Sequence, residues 1–179
     1  MGNRHKVFIS FHSVDIYYKQ QFERLFANVF DVMVSRSVDE GDISDYLPAE
    51  TVRQKIRDEY LRDSTVTVVL IGKNTWQRKH VDWEIGSSIR DTKFNSRSGL
   101  LGVLLPTYPS FPINRYDYNT IPPRLSDNIK CEYADIYAWD ENPLVIQDWI
   151  HRAFLKRNTL IPDNSYPPFI YNRSGERWT

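Results

Sequence analysis

A single cysteine in 179 residues, Cys131, leaves no partner for an internal disulfide and removes any cysteine-based zinc cluster. It reads as a small buried apolar residue in a protein of a reducing compartment. Glycine is scarce, seven in all, and Ser10-Phe11-His12-Ser13 stands where a Rossmann fingerprint would need its glycine-rich turn. Gly72-Lys73-Asn74-Thr75 does not complete a P-loop, which needs an upstream glycine and a Ser or Thr directly after the lysine. No apolar run approaches the ~20 residues that cross a bilayer. The opening MGNRHKVFIS passes from a polar leader into a strand rather than a signal peptide, so a cytoplasmic location without a membrane partner is expected. The myristoylation pattern fails at Lys6, where Ser or Thr is required. Neither sign of charge is in excess, with 23 Lys+Arg against 23 Asp+Glu, so the basic footprint of a nucleic-acid binder is missing. The four histidines, at 5, 12, 80 and 151, lack metal-ligand spacing, and the acidic loop from Asp39 to Asp45 lacks the order of a calcium loop. No metal site is expected. A phospho-receiver is disfavoured too, because Ile71-Gly72-Lys73 offers no Asp at the end of the strongest strand.

What the chain does contain is an alternation of short apolar runs with helical periodicity, in a length that suits one domain over residues 1–179. Lys6 to Phe11 reads as a buried strand, followed by a helix with Tyr18, Phe22, Leu25, Phe26 and Val29 at its spacing and Ser13 or Asp15 as N-cap. A short strand over Asp31 to Ser35 and an acidic loop over 36–47 come next. Pro48 then fits the first turn of a helix carrying Val52, Ile56 and Tyr60. Ser64 to Ile71, β-branched almost throughout, belongs in the middle of a sheet covered on both sides. A polar loop leads to a helix from Lys79 to Asp91, and Leu100 to Leu105 supplies a further central strand. The five prolines of 106–126 oppose regular structure there. Tyr133 to Trp139 reads as an edge strand and Leu144 to Phe154 as a closing helix. The last twenty residues, with Pro162, Pro167, Pro168 and four aromatics, have the composition of a segment that wraps the surface as readily as of a loose terminus. This order predicts an α/β fold with a central parallel sheet and helices on both faces.

With the standard sites excluded, attention falls on the helix HVDWEIGSSIRD. Val81, Ile85 and Ile89 form its core-facing stripe, and Glu84 lies about 100° around the helix from the stripe's centre, at the border of the buried face. The helix begins outside the carboxyl ends of the strands, where open parallel sheets bind ligands. There Glu84 is expected beside His80, Trp76 and the segment Ser10 to His12. The bland readings are that Glu84 complements the helix dipole, that Trp76 is a packing aromatic, that Ser10 bonds backbone, and that His12 is a solvated loop residue.

KVFISFHSVD, TVTVVLIGKNTWQRKHVDWEI and GLLGVLLP together resemble the TIR-like domains of bacteria and archaea, and closely those of Thoeris antiphage defence. The resemblance covers roughly residues 6 to 105; beyond it, Ile121-Pro122-Pro123-Arg124 and Asp127-Asn128 are similar to the wider family. It implies a flavodoxin-like TIR fold and, for catalytic members, cleavage of the nicotinamide–ribose bond of NAD, taken as substrate with no cofactor. Glu84 stands at the position of the family's catalytic glutamate. His80-Val81 replaces the Trp-Cys pair of many TIR domains, as an aromatic other than Trp does in Thoeris relatives. Ser10, Phe11, His12, Trp76 and His80 are the expected substrate-binding neighbours.

Three readings stand at this point. The first is an enzyme that turns NAD into a cyclic ADP-ribose isomer or a related ADP-ribose signal for a separate nucleotide-sensing effector. The second is a TIR-like interaction module that self-associates and performs no chemistry, its acidic loop 39–45 occupying the usual assembly-loop position. The third is another N-glycosidic enzyme, similar to the nucleoside deoxyribosyltransferases.

Overall fold

The β-branched run of Val66–Ile71 and the apolar run of Gly99–Leu104 become the two innermost strands, and every residue in both is buried. Such strands, apolar on both alternating faces, are stable only between two layers of helix. The computed structural model describes residues 5–27, 32–34 and 46–178, the segment 32–34 by its backbone alone. Its five-stranded sheet consists of β1 (Lys6–Ser10), β2 (Val32–Val34), β3 (Val66–Ile71), β4 (Gly99–Leu104) and β5 (Ala134–Ala138). The spatial order is β2-β1-β3-β4-β5, and all four pairings are parallel. Val7 lies opposite Val66, Val66 opposite Gly99, and Leu100 opposite Ala134. This is the flavodoxin-like order, whose connections reverse direction between β1 and β3 and open a crevice at the carboxyl ends of those two strands.

Alternation along each strand sends side chains to two separate cores. On one face, Val7, Ile9, Val68 and Leu70 meet Phe22 and Phe26 of α1 (Ile16–Phe26) and Ile146 and Ile150 of α5 (Pro143–Thr159). On the other, Val69, Ile71, Leu100 and Leu104 meet Val81 and Ile85 of α3 (Lys79–Ser88) and Leu125 of α4 (Pro123–Lys130). Beside them, Phe8 packs with Val52 of α2 (Ala49–Lys55) and with Ile56, where the helix loosens into a π turn over Ile56–Tyr60. Ser10 follows Phe8 on this second face, so the sheet presents its hydroxyl to the side on which α3 lies.

Several expectations need correction. Residues 123–126 are helical, within α4, although five prolines argued against regular structure through 126. Pro123 occupies the first helical position, where the missing N–H is one that no helix satisfies internally, so it starts the helix rather than breaking it. Pro48 precedes α2 as its N-cap residue instead of lying in the first turn. The closing helix extends to Thr159, five residues beyond the expected end at Phe154. The helix expected to reach Asp91 ends at Ser88. Asp15 sits at the N-cap position of α1 without a side-chain cap bond, because its carboxyl is engaged elsewhere. Cys131 is exposed rather than buried, directly after the last turn of α4. The end of the first helix at Val29, the ends of the strand at 31–35 and the acidic loop over 36–45 lie outside the described residues. Among the described residues, no helix is long and apolar enough to cross a membrane, and no group of three or more His, Cys, Asp or Glu side chains is arranged to hold a metal ion.

Candidate active site

Helix α3 is covered on every side, and that decides the state of Glu84. Val81, Ile85 and Ile89 face the sheet core, while Asp82, Gly86, Ser87 and Ser88, on other faces, are buried as well. Glu84 is therefore wholly buried, with 0% exposure, and not at the border of the buried face as its angle to the apolar stripe suggested. A carboxylate in such a place needs donors to replace water. Ser10, equally buried at the end of β1, provides one: its hydroxyl donates to Oε2 of Glu84 at 2.5 Å. One turn earlier on α3, His80 is half-buried and its Nε2–H donates to the carbonyl of Phe11 at 3.2 Å. Two links thus tie the carboxyl end of β1 to one face of α3, since positions 80 and 84 lie one above the other on a helix.

The remaining expected neighbours are distributed differently. The backbone of Phe11 meets His80, but its ring belongs to the core under α1 and α5, on the opposite face of the sheet from Glu84. His12 is 8% exposed, a buried residue and not a solvated one, with Nδ1 and the Ser13 hydroxyl 3.4 Å apart. Trp76 is 2% exposed within the 3-10 turn Thr75–Gln77 that precedes α3. The structure therefore brings together the side chains of Ser10 and Glu84, and joins His80 to the backbone of Phe11.

A second buried carboxyl stands at the strand ends, at a residue to which the sequence pattern assigns only an N-cap position. Asp15, 3% exposed, accepts a hydrogen bond from the Thr107 hydroxyl at 2.8 Å through Oδ1, while Oδ2 has no hydrogen-bond partner among the described residues. It lies against Gly72, directly after β3, so the first, third and fourth strands all send residues to this point. Burial pushes the Asp15 carboxyl above its usual range, and the Thr107 hydrogen bond opposes that only in part. Asp15 closes the stretch KVFISFHSVD, so its place in a motif was legible although its role was not.

Behind α3 lies a further group. Arg124 of α4, 0% exposed, donates from Nε to Oδ1 of Asp82 at 3.0 Å and from its other nitrogens to Asn164 and to the carbonyl of Tyr166. The visible signal for it was Ile121-Pro122-Pro123-Arg124.

A flavodoxin-like sheet with a buried Ser–Glu pair where its connections reverse defines an α/β domain of the TIR type. Residues 8–110 match the family described as Thoeris protein ThsB, TIR-like domain; this is more than half of the chain, and the chain belongs to that family. No curated protein matches it.

Proposed function

We propose that this protein cleaves the bond between nicotinamide and ribose in NAD and passes the ADP-ribosyl group into a cyclic isomer or a related conjugate. The product serves as a diffusible signal in antiphage defence, read by a separate nucleotide-sensing effector. The protein acts in the cytoplasm. The observation that carries the reading is the pairing of Ser10 and Glu84 at the carboxyl end of β1, beside the sheet's switch point, in a chain of the Thoeris TIR-like family.

Departure of nicotinamide leaves a ribosyl cation-like centre, and a fixed carboxylate lowers the energy of that developing positive charge. Glu84 is the group for this task. In the reaction a ribose hydroxyl takes the place of the Ser10 hydroxyl on Glu84, so the acid is held in position before substrate arrives. His80 fixes the Phe11 backbone along the same edge. Side chains around the carboxylate have to part for NAD to reach it, which fits an enzyme idle until infection triggers it. Self-association through TIR surfaces is one route to that opening.

The test is incubation of the protein and of its Glu84→Gln form with NAD in lysate from phage-infected cells, following nicotinamide and nucleotide products by mass spectrometry. Release by the parent protein and its loss in the variant is the expected result. Equal release from both removes Glu84 from the mechanism.

A further inference from the structure

The segment after α5 turns back across the molecule and runs along α3 from its end to its start. Asn164 donates from its side chain to the carbonyl of Gly86 at 2.9 Å. The backbone N–H of Phe169 donates to Oδ2 of Asp82 at 3.0 Å, and the indole of Trp83 donates to the carbonyl of Phe169 at 2.8 Å. Asn172 then accepts from the backbone N–H of Lys79 at 2.9 Å. Beyond the helix, Arg173 N–H donates to the carbonyl of Gln77 at 2.7 Å, and the indole of Trp178 donates to the carbonyl of Tyr118 at 2.9 Å. One segment thereby joins α4, α3, the Trp76 turn and the loop after β4.

Its contacts on α3 follow a strict stripe. Lys79, Asp82, Trp83 and Gly86 are spaced three, four and seven residues apart and share one face. Glu84 lies about 150° around the helix from the centre of that face. The segment therefore presses on the side of α3 away from the carboxylate, while Ser10 and the Phe11 carbonyl hold the other side. Lys79 is the first residue of α3, and Arg78, in the N-cap position, supplies no side-chain cap. The first N–H groups of a helix have no partner inside it, so a cap from elsewhere in the chain sets where the helix begins and how firmly.

We propose that residues 161–178 form a strap that positions α3, and that Asn172, by capping the helix from a distance, is a positioning residue for Glu84. The second half of this rests on the reading of Glu84 as the catalytic group. The strap keeps the carboxylate in register with the end of β1, and its release lets the first turns of α3 fray.

The full-length chain is compared with Asn172→Ala and Asn172→Asp, substitutions at an exposed residue that leave the core intact. Amide hydrogen exchange over α3 and β3 is measured beside nicotinamide release from NAD in infected-cell lysate. Loss of the cap is expected to raise exchange in the first turns of α3 about fivefold, with β3 unchanged. It lowers kcat more than it raises KM, and Asn172→Asp, which keeps an acceptor, restores both readings. Unchanged α3 exchange in Asn172→Ala overturns the strap. Faster exchange with undiminished release overturns the positioning role. If the parent protein releases no nicotinamide, the reading of Glu84 as catalytic fails instead, and the strap is decided by exchange alone.

Discussion

Asp82 and Arg124 form an ion pair withdrawn from water, 3.0 Å apart, with side chains 2% and 0% exposed. Gly86, one turn after Asp82, makes room for it, since a Cβ there would lie 3.1 Å from Nε of Arg124. Desolvation of two charges is repaid only where further hydrogen bonds complete both groups. Here Asn164, the Tyr166 carbonyl and the Phe169 N–H do so, which makes the pair a hub for the strap.

Arg124→Met is accordingly expected to lower stability by about 3–5 kcal/mol, the usual cost of leaving one buried charge without its partner. A simple pair often tolerates joint replacement by apolar residues. The double change Asp82→Leu/Arg124→Met is expected to remain costly, because it strands the Phe169 N–H and the Tyr166 carbonyl. Urea denaturation of the three proteins distinguishes the cases; a double variant as stable as the parent would show that the strap does not depend on the pair.

The Ser10–Glu84 contact makes a separate prediction through a double-mutant cycle. Ser10→Ala removes a donor from a buried carboxylate and should cost about 1.5–3 kcal/mol, the range for hydrogen bonds to charged groups. Glu84→Gln removes the charge that made the donor valuable. The two changes together should therefore cost less than their sum by more than about 0.5 kcal/mol. Strict additivity in equilibrium unfolding would mean that the hydroxyl contributes nothing specific to the carboxylate.

The sheet was legible because its signals are local. The β-branched run ending at Ile71 needs no distant information to be read as a buried strand, and the spacing of Val81, Ile85 and Ile89 sets the core face of α3. Glu84 could be picked out on that helix, but its burial could not be foreseen. Its own side is closed by the end of β1, 74 residues earlier at Ser10, and the opposite side of the helix by a segment 86 and 87 residues further along that folds back over Trp83 and Asp82. Nothing in the periodicity of α3 reports that second covering. Helix α4 was hidden for a different reason: Pro123 is a breaker inside a helix and a starter at its first position, and composition does not separate the two. The bond between Asp15 and Thr107 spans 92 residues and joins loops whose shapes no short pattern fixes.

Gly72 shows how tightly those loops meet. A Cβ at this position would lie 2.6 Å from the Thr107 hydroxyl oxygen and closer still to Oδ2 of Asp15. Gly72→Ala must therefore displace the Asp15 carboxyl and is expected to cost about 1–3 kcal/mol, as overpacking of a filled site does. Truncation of the neighbour in Gly72→Ala/Asp15→Ala should recover part of that loss. Thermal unfolding of both variants beside Asp15→Ala alone measures the recovery, and its absence would place the clash elsewhere.

Asp15 also predicts a pH dependence with a definite sign. Burial raises its folded-state pKa above the 3.8 of an ordinary aspartate, so the folded chain keeps this proton where the unfolded chain has lost it. Stability linked to the group is then fully present below 3.8 and is lost as pH rises through the folded-state value, after which it levels off. Other carboxylates with lowered pKa values, such as Asp163, act in the opposite direction, so the parent protein alone does not isolate the effect. Asp15→Asn does, since its amide keeps an acceptor for Thr107 and does not titrate. The stability of the parent relative to Asp15→Asn, followed by urea unfolding from acid to neutral pH, should decline as pH rises above 3.8. A difference constant across that range would mean that the carboxyl binds its proton equally in the folded and unfolded chain, and that the contact with Gly72 and Thr107 leaves it effectively in water.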